Sequence, residues 1–382
     1  MIAIRAIFLS ILLLAIPSPS LAAPPIPDAV TVFTRESNDA YEAIRIPAIV
    51  QSKSGTLLAF AEGRVLDSDH GENDIILRRS NDDGKTWSDT QVVAESGKDS
   101  LNDPCALALR DPDRVLLVYH RYPQGYHGRA MDHAKRVEPG YDGPANGQSF
   151  ITTSEDDGAT WSPPRDITRT LRQPDVIAVG SPGNFIQLQQ GPHAGRIVLP
   201  LYENMPLGEG DKLHNLRAAF SDDLGGTWQL GERISYENIT GWGTEAQIAE
   251  CTEGGLLLSA RLQDGGAERI LSESRDGGHT WLPARLESAL QTPPCMSSIV
   301  SRVESGGEAA TLFHTLPNTT DERKNGTLFR STDCGETWTR DSTIYPGGFA
   351  YSALVVLNDG RLGCLYERDD YKSLSYVVLN VE

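Results

Sequence analysis

One octapeptide occurs five times in this chain, and no other feature limits its fold so tightly. The segments 80–87, 154–161, 221–228, 274–281 and 331–338 all read Ser-x-Asp-x-Gly-x-Thr-Trp, and they use five of the six tryptophans in 382 residues. The residue types describe a hairpin turn. The aspartate accepts hydrogen bonds from nearby backbone N–H groups, the glycine supplies a positive φ, and Thr-Trp starts the next strand with a large ring to bury. Each copy is therefore expected to join two antiparallel strands at the periphery of a repeated sheet unit. Asp82, Asp156, Asp223, Asp276 and Asp333 are turn formers on this reading and carry no catalysis.

Strand-like runs fill the intervals. Asp74–Arg79, Gln148–Thr153, Leu216–Phe220, Glu268–Ser272 and Gly326–Arg330 lead into the five copies. Thr56–Ala61, Arg114–Tyr119, Arg196–Leu201, Gly255–Ala260, Ala309–His314 and Leu362–Tyr366 lie between them. Helical periodicity is nearly absent. Successive copies start 74, 67, 53 and 57 residues apart, the span of a four-stranded blade with its loops. This predicts an all-β, six-bladed β-propeller in a single domain over residues 23–382, with one blade lacking the octapeptide. A strand near Ala29–Thr34 is expected to close the ring beside Ser373–Val381.

The first 22 residues read differently. Arg5 precedes an apolar run of eleven, Ala6–Ile16, and Ser20-Leu21-Ala22 supplies the small residues of a cleavage site. Pro17 and Pro19 break the run well short of a membrane span. A signal peptide over 1–22 is expected, and with it a secreted or periplasmic protein without a membrane partner. A net charge of -18 opposes nucleic acid as a partner. Five scattered cysteines without a Cys-x-x-Cys leave at least one thiol unpaired, and the eight histidines form no metal-ligand pattern.

Charges inside apolar strands mark a candidate site. Arg45 interrupts Ala43–Val50, and Arg261 ends Leu256–Arg261. A buried guanidinium needs anionic partners or costs several kcal/mol, so either arginine is half of an ion pair or binds an anionic ligand. Arg323, in the polar loop 316–326, reads as a solvated charge, Tyr351 as a core aromatic and Glu245 as a surface acid on residue type alone. The stretch 121–147, with His120, His127 and His133 in and beside it, is the largest insertion between repeats. Loops of that length are uncommon unless functional, and it is expected to overhang the site.

Over essentially the whole mature chain, these residues resemble the exo-sialidases (neuraminidases). Arg45-Ile46-Pro47 looks like that family's Arg-Ile-Pro signature, the octapeptides look like its Asp boxes, and Ala59–Arg64 is similar to the segment that follows. The resemblance implies cleavage of terminal sialic acids from sialylated glycans with retention, by a monomer that needs no cofactor or metal. It implies that Arg45, Arg261 and Arg323 clamp the sugar carboxylate, a task that suits planar guanidinium forks. It also implies Tyr351 as nucleophile with Glu245 as its base, and Asp69 as acid/base with Asp67 as rival. Arg64 would contact the ring-hydroxyl side, and Asp103 would line the pocket. An intramolecular trans-sialidase, a glycosidase for a related nonulosonic acid and a non-catalytic sialoglycan-binding propeller remain as alternatives.

Overall fold

All five octapeptides turn the chain at one place in a recurring motif, the hairpin between the third and fourth strands of an antiparallel run. The computed structural model describes residues 28–37, 40–129, 134–205, 214–303 and 310–381, so the expected signal segment and His133 lie outside the described residues. The first run is Ala43–Gln51, Leu57–Arg64, Asn73–Ser80 and Gln91–Ala94. The second is Ser100–Arg110, Asp113–Tyr122, Gln148–Ser154 and Arg165–Asp166. In the third, the pieces Ala178–Gly180 and Ile186–Gln187 both pair with Ile197–Asn204, and His214–Ser221 and Gln229–Leu230 follow. The fourth is Trp242–Glu250, Leu256–Gln263, Arg269–Ser274 and Arg285–Glu287.

The long strand Thr339–Val356 belongs to two runs. Its first part completes Ser298–Val303, Ala310–Pro317 and Lys324–Ser331, and its second part begins a run with Leu362–Arg368 and Ser373–Leu379. That last run takes its fourth strand from the other end of the chain, where Val30–Thr34 pairs antiparallel with Ser373–Leu379. The expected closure is therefore present, and it explains the missing sixth octapeptide. No hairpin joins third and fourth strands there, so there is no turn for the motif to make. The four-residue helix Thr168–Leu171 is the only α-helix among the described residues, and no described helix is long and apolar enough to cross a membrane.

The octapeptides repeat one hydrogen-bond network. In the first copy Ser80 Oγ donates to Asp82 Oδ1 at 2.8 Å, Gly84 N to Ser80 Oγ at 2.9 Å, Thr86 N to Asp82 Oδ1 at 2.9 Å and Thr86 Oγ1 to Asp82 Oδ2 at 2.7 Å. The other four copies match these lengths within 0.2 Å. Gly84 has φ +82° as the turn requires, and Asp83 before it has φ 58°.

The tryptophans use the turns to join neighbours. Six apolar clusters each lie between two successive runs, and the octapeptide tryptophans pack against five of them. Trp161 of the second run meets Phe60 of the first edge-on at 5.7 Å, and Trp87 of the first meets Tyr376 of the last at 5.5 Å. A disulfide, Cys251–Cys334, ties the fourth run to the last octapeptide, while Cys105, Cys295 and Cys364 are buried free thiols.

Candidate active site

First strands of four runs begin with a slip in register, and each slip carries a site residue. Pairing jumps between Arg45 and Ala48, between Asn102 and Cys105, between Thr244 and Ala246, and between Phe349 and Ser352. The residues set free are Ile46-Pro47, Asp103-Pro104, Glu245 and Ala350-Tyr351. A β-bulge inserts extra chain that re-aims side chains out of the pleat. Ile46 at φ 60° and Asp103 at φ 55° are left-handed, which is costly for a β-branched residue such as Ile46. The Ile46 N–H is satisfied by Glu367 Oε1 at 3.1 Å.

The four bulges and their neighbours enclose a cavity of about 210 Å³. Among its walls are Arg45, Arg64, Asp69, Asp103, Glu245, Arg261, Arg323 and Tyr351. All eight residues singled out in the sequence thus meet in one place, although they span more than 300 positions of the chain. Asp67 is exposed and is not part of the wall. A second cavity, lined by the far ends of the same first strands, holds Ile49, Leu107, Ile248 and Leu354. In the wall of this second cavity, Asn184 Nδ2 donates to Ile49 O at 2.9 Å and to Leu354 O at 2.8 Å, tying three runs together.

Tyr351 sits at the centre of the charged groups. Its hydroxyl donates to Glu245 Oε1 at 2.5 Å and accepts from Arg261 Nη1 at 2.8 Å, and the same nitrogen reaches Glu245 Oε2 at 2.8 Å. Arg45 and Arg323 stand 5.5 and 5.2 Å from the ring centroid. Burial and the adjacent Glu245 carboxylate push the Tyr351 phenol well above its ordinary range, against the pull of Arg261 and Arg323. Burial alone would raise Glu245 too, but Arg261 and the Tyr351 hydroxyl hold it below its usual value. The resting pair is a phenol beside a carboxylate, an arrangement in which the carboxylate can accept the phenolic proton.

Each arginine is held by a different device. Arg45 Nε and Nη2 grip Glu367 Oε1 and Oε2 at 2.9 and 3.0 Å, and Glu367 also accepts from Tyr351 N at 3.1 Å. Arg323 Nη2 donates to Pro294 O at 2.7 Å, and its Nη1 donates to Tyr371 Oη at 3.1 Å. Arg64 is spent on protein carboxylates: Nε and Nη2 bind Glu62 Oε2 at 2.9 and 2.7 Å, and Nη1 binds Asp69 Oδ1 at 2.6 Å. Burial tends to raise Asp69, yet Arg64 and then Arg45 keep its carboxyl below the ordinary range. Asp103 goes the other way. Its burial, with Glu62, Glu245 and Asp69 nearby, drives it well upward.

Sequence reasoning missed Glu367, Glu62, Tyr202 and Arg129, and it named His127 only as part of the insertion. Glu367 had a usable signal: it directly follows the apolar run Leu362–Tyr366, so the rule that exposed Arg45 applies to it as well, and the structure buries it. The insertion does reach the site, for His127, Gly128 and Arg129 line the cavity. His120 does not. It is buried against Ser149 Oγ at 2.9 Å and pushed down to about 3 by that burial.

Comparison with known proteins gives a consistent picture. The family model described as BNR repeat-like domain matches residues 55–364. A sialidase of Micromonospora viridifaciens is 30% identical over 376 residues, covering 92% of this chain and 55% of that protein. Sialidase-2 of Rattus norvegicus is 29% identical over 371 residues, covering 89% of this chain and 93% of its own length. Among solved structures, a Hadza microbial sialidase superimposes with a TM-score of 0.76 at 26% identity, over 90% of this chain and 66% of that one. The chain thus spans about half the length of the Micromonospora protein and nearly all of the rat one.

Proposed function

The chain belongs to the BNR repeat-like domain family, and from that membership we propose that it is a secreted exo-α-sialidase acting on sialylated glycoconjugates with retention of configuration. The observation that carries the proposal is the 2.5 Å bond from Tyr351 Oη to Glu245 Oε1 beside three convergent arginines. Three cations around one small cavity suit a carboxylate-bearing sugar, and they do so on a chain whose net charge is -18. The six antiparallel runs and the six apolar clusters between them support a six-bladed propeller with the cavity on its axis. The Cys251–Cys334 disulfide suits the oxidising compartment to which a signal peptide over 1–22 would lead.

In the proposed reaction Arg45, Arg261 and Arg323 bind the substrate carboxylate. Tyr351 Oη then attacks the anomeric carbon as the glycosidic C–O bond breaks. Glu245 takes the phenolic proton, and Asp69 gives a proton to the departing oxygen. In the second step Asp69 removes a proton from water, which displaces the tyrosyl oxygen, and Glu245 returns the proton to Tyr351. Two displacements at one carbon restore its configuration. Sialidases with a tyrosine nucleophile are a known exception to the two-carboxylate rule of glycosidases. Their substrates carry a carboxylate on the carbon attacked, and an anionic nucleophile would be repelled there. Asp69 is ionised at rest, so it must gain its proton in the complex. The incoming carboxylate offsets the field of Arg45 and makes that proton easier to hold.

The test is hydrolysis of an aryl α-sialoside by the chain lacking residues 1–22, with the first-formed anomer read by NMR. Release of the α-anomer of free sialic acid is expected. An anhydro sugar as first product replaces hydrolysis by intramolecular transfer, the β-anomer overturns the double displacement, and no turnover by folded protein overturns the enzyme reading.

A further inference from the structure

The insertion after Tyr122 touches the loop that carries Asp69, and it does so through aromatic rings. His127 lies in the short strand Tyr126–His127, which pairs with Lys135–Arg136. Its ring stacks on His70 with centroids 4.3 Å apart and planes 27° from parallel, and it packs tilted by 48° against Tyr122 at 4.6 Å. Tyr122 is 2% exposed, packs with Val137, Ile177 and Ala178, and belongs to the rigid strand Asp113–Tyr122. A three-ring column therefore runs from the second run to the residue next to Asp69.

The loop needs such support. Residues 65–72 span the gap between two strands of the first run, with Leu66 55% exposed and the Asp69 side chain 48% exposed. On the opposite flank Asp69 O accepts from Ser100 Oγ at 3.1 Å. Asn102 Nδ2 donates to the same oxygen at 3.5 Å and Arg64 holds the carboxylate, so these contacts grip Asp69 from the strand side and leave the outer side of the loop to other contacts. The ring column supplies an attachment on that outer side, at the residue next to Asp69.

We propose that His127 is a positioning residue for Asp69, holding the acid loop through its stack on His70 so that the carboxyl stays aimed at the leaving oxygen. This rests on the reading of Asp69 as the acid/base. His127 is suited to the task because burial pushes it down to about 3, so its ring is neutral and stacks without charge repulsion. A general acid works only within hydrogen-bond reach of its target, and a displacement of about 1 Å can cost roughly 10²-fold.

Leaving groups separate this role from a merely structural one. A sugar alcohol departing from sialyllactose needs the proton, whereas an acidic phenol departs well without it. We would measure kcat/KM on both substrates for wild type, Asp69→Ala, His127→Ala, His127→Phe and His70→Ala, with thermal melts alongside. Asp69→Ala should lose at least about 10²-fold more on sialyllactose than on the aryl sialoside. His127→Ala should lower the same ratio by roughly tenfold, and His127→Phe, which keeps a stacking ring, should return it to within about threefold of wild type. If His127→Ala does not fold, His70→Ala removes the other ring from the looser side and should show the same change in ratio. Equal losses on the two substrates, an unchanged ratio, or a His127→Phe variant as impaired as His127→Ala overturns the positioning role. If Asp69→Ala itself leaves the ratio unchanged, the acid assignment fails, and the fault lies there and not in the stack.

Discussion

The octapeptide turns and the bulged strand starts lie at opposite ends of the same sheet runs, and they solve opposite problems. Each turn satisfies itself. The serine, aspartate, glycine and threonine that bond in Ser80–Trp87 lie within eight residues, so five copies reach one geometry regardless of what surrounds them. Each bulge depends on distant chain. Arg45 is held by Glu367, 322 residues away, and Tyr351 by Glu245, 106 residues away. Local closure gives robust repetition, and long-range closure gives charged groups positions that no single segment could hold. On the proposed function the turns carry stability and the bulged ends carry chemistry, as rim and centre, and the two should separate under mutation.

The largest separation is expected from Tyr351→Phe. Turnover of sialyllactose should fall by at least about 10³-fold while the melting temperature stays close to wild type. Retained activity would show that the phenol is not the nucleophile. Arg45→Ala comes next, with KM raised about 10²-fold and a smaller change in kcat, because a charge-assisted carboxylate contact is worth about 1.5–3 kcal/mol. A loss confined to kcat would remove Arg45 from the carboxylate clamp. At the rim, Asp276→Ala strips Thr280 N, Thr280 Oγ1 and Ser274 Oγ of their shared acceptor. It should cost about 1–2 kcal/mol by denaturant titration and leave kcat/KM of the folded fraction unchanged. A catalytic defect there would break the division between rim and centre.

Acid should act on the two regions with opposite sign. Asp82 and Asp156 are held at about 2 by hydrogen bonds, first from Thr86 and from Thr160. A carboxyl depressed by folding adds stability above its unfolded value near 3.9, and that stability is lost as the pH falls through the folded value. Melting temperature should therefore decline between about pH 4 and pH 2. Asp69 is likewise held low, but its task needs the proton, so kcat/KM on sialyllactose should rise as the pH falls from 7 towards 5, with the aryl sialoside less affected. A flat profile for sialyllactose would remove Asp69 as the acid.

Much of this was readable from the residues, for reasons that differ from place to place. The strands that precede the octapeptides and the second strands were visible because apolar β-rich runs ended in turn chemistry. The first strands were harder. Ser100–Arg110 and Thr339–Val356 contain Asn, Asp, Pro and Gly where bulges interrupt them, so their periodicity breaks where the site begins. Arg45 stood out as a charge in an apolar strand, but Glu367 did not, although the two form one ion pair. Arg64 was expected to contact the ring-hydroxyl side; it lines the cavity, and its guanidinium is also bound by Glu62 and Asp69. Glu62 lies two residues back on the same face of the strand, so that half of the pairing was legible, whereas the Asp69 half depends on how the loop folds over the strand.

By itself the sequence determined the turn chemistry, the number and spacing of the octapeptides and the all-β class, because those depend on contacts within a few residues. It also marked the eight residues of the site through a family resemblance and a few misplaced charges. Only the tertiary structure decided that they converge, which carboxylate holds which arginine, and that the strand from the beginning of the chain completes the last run. Those outcomes depend on pairing segments hundreds of residues apart, and a charge in a sequence does not reveal its partner until the backbone brings the two together.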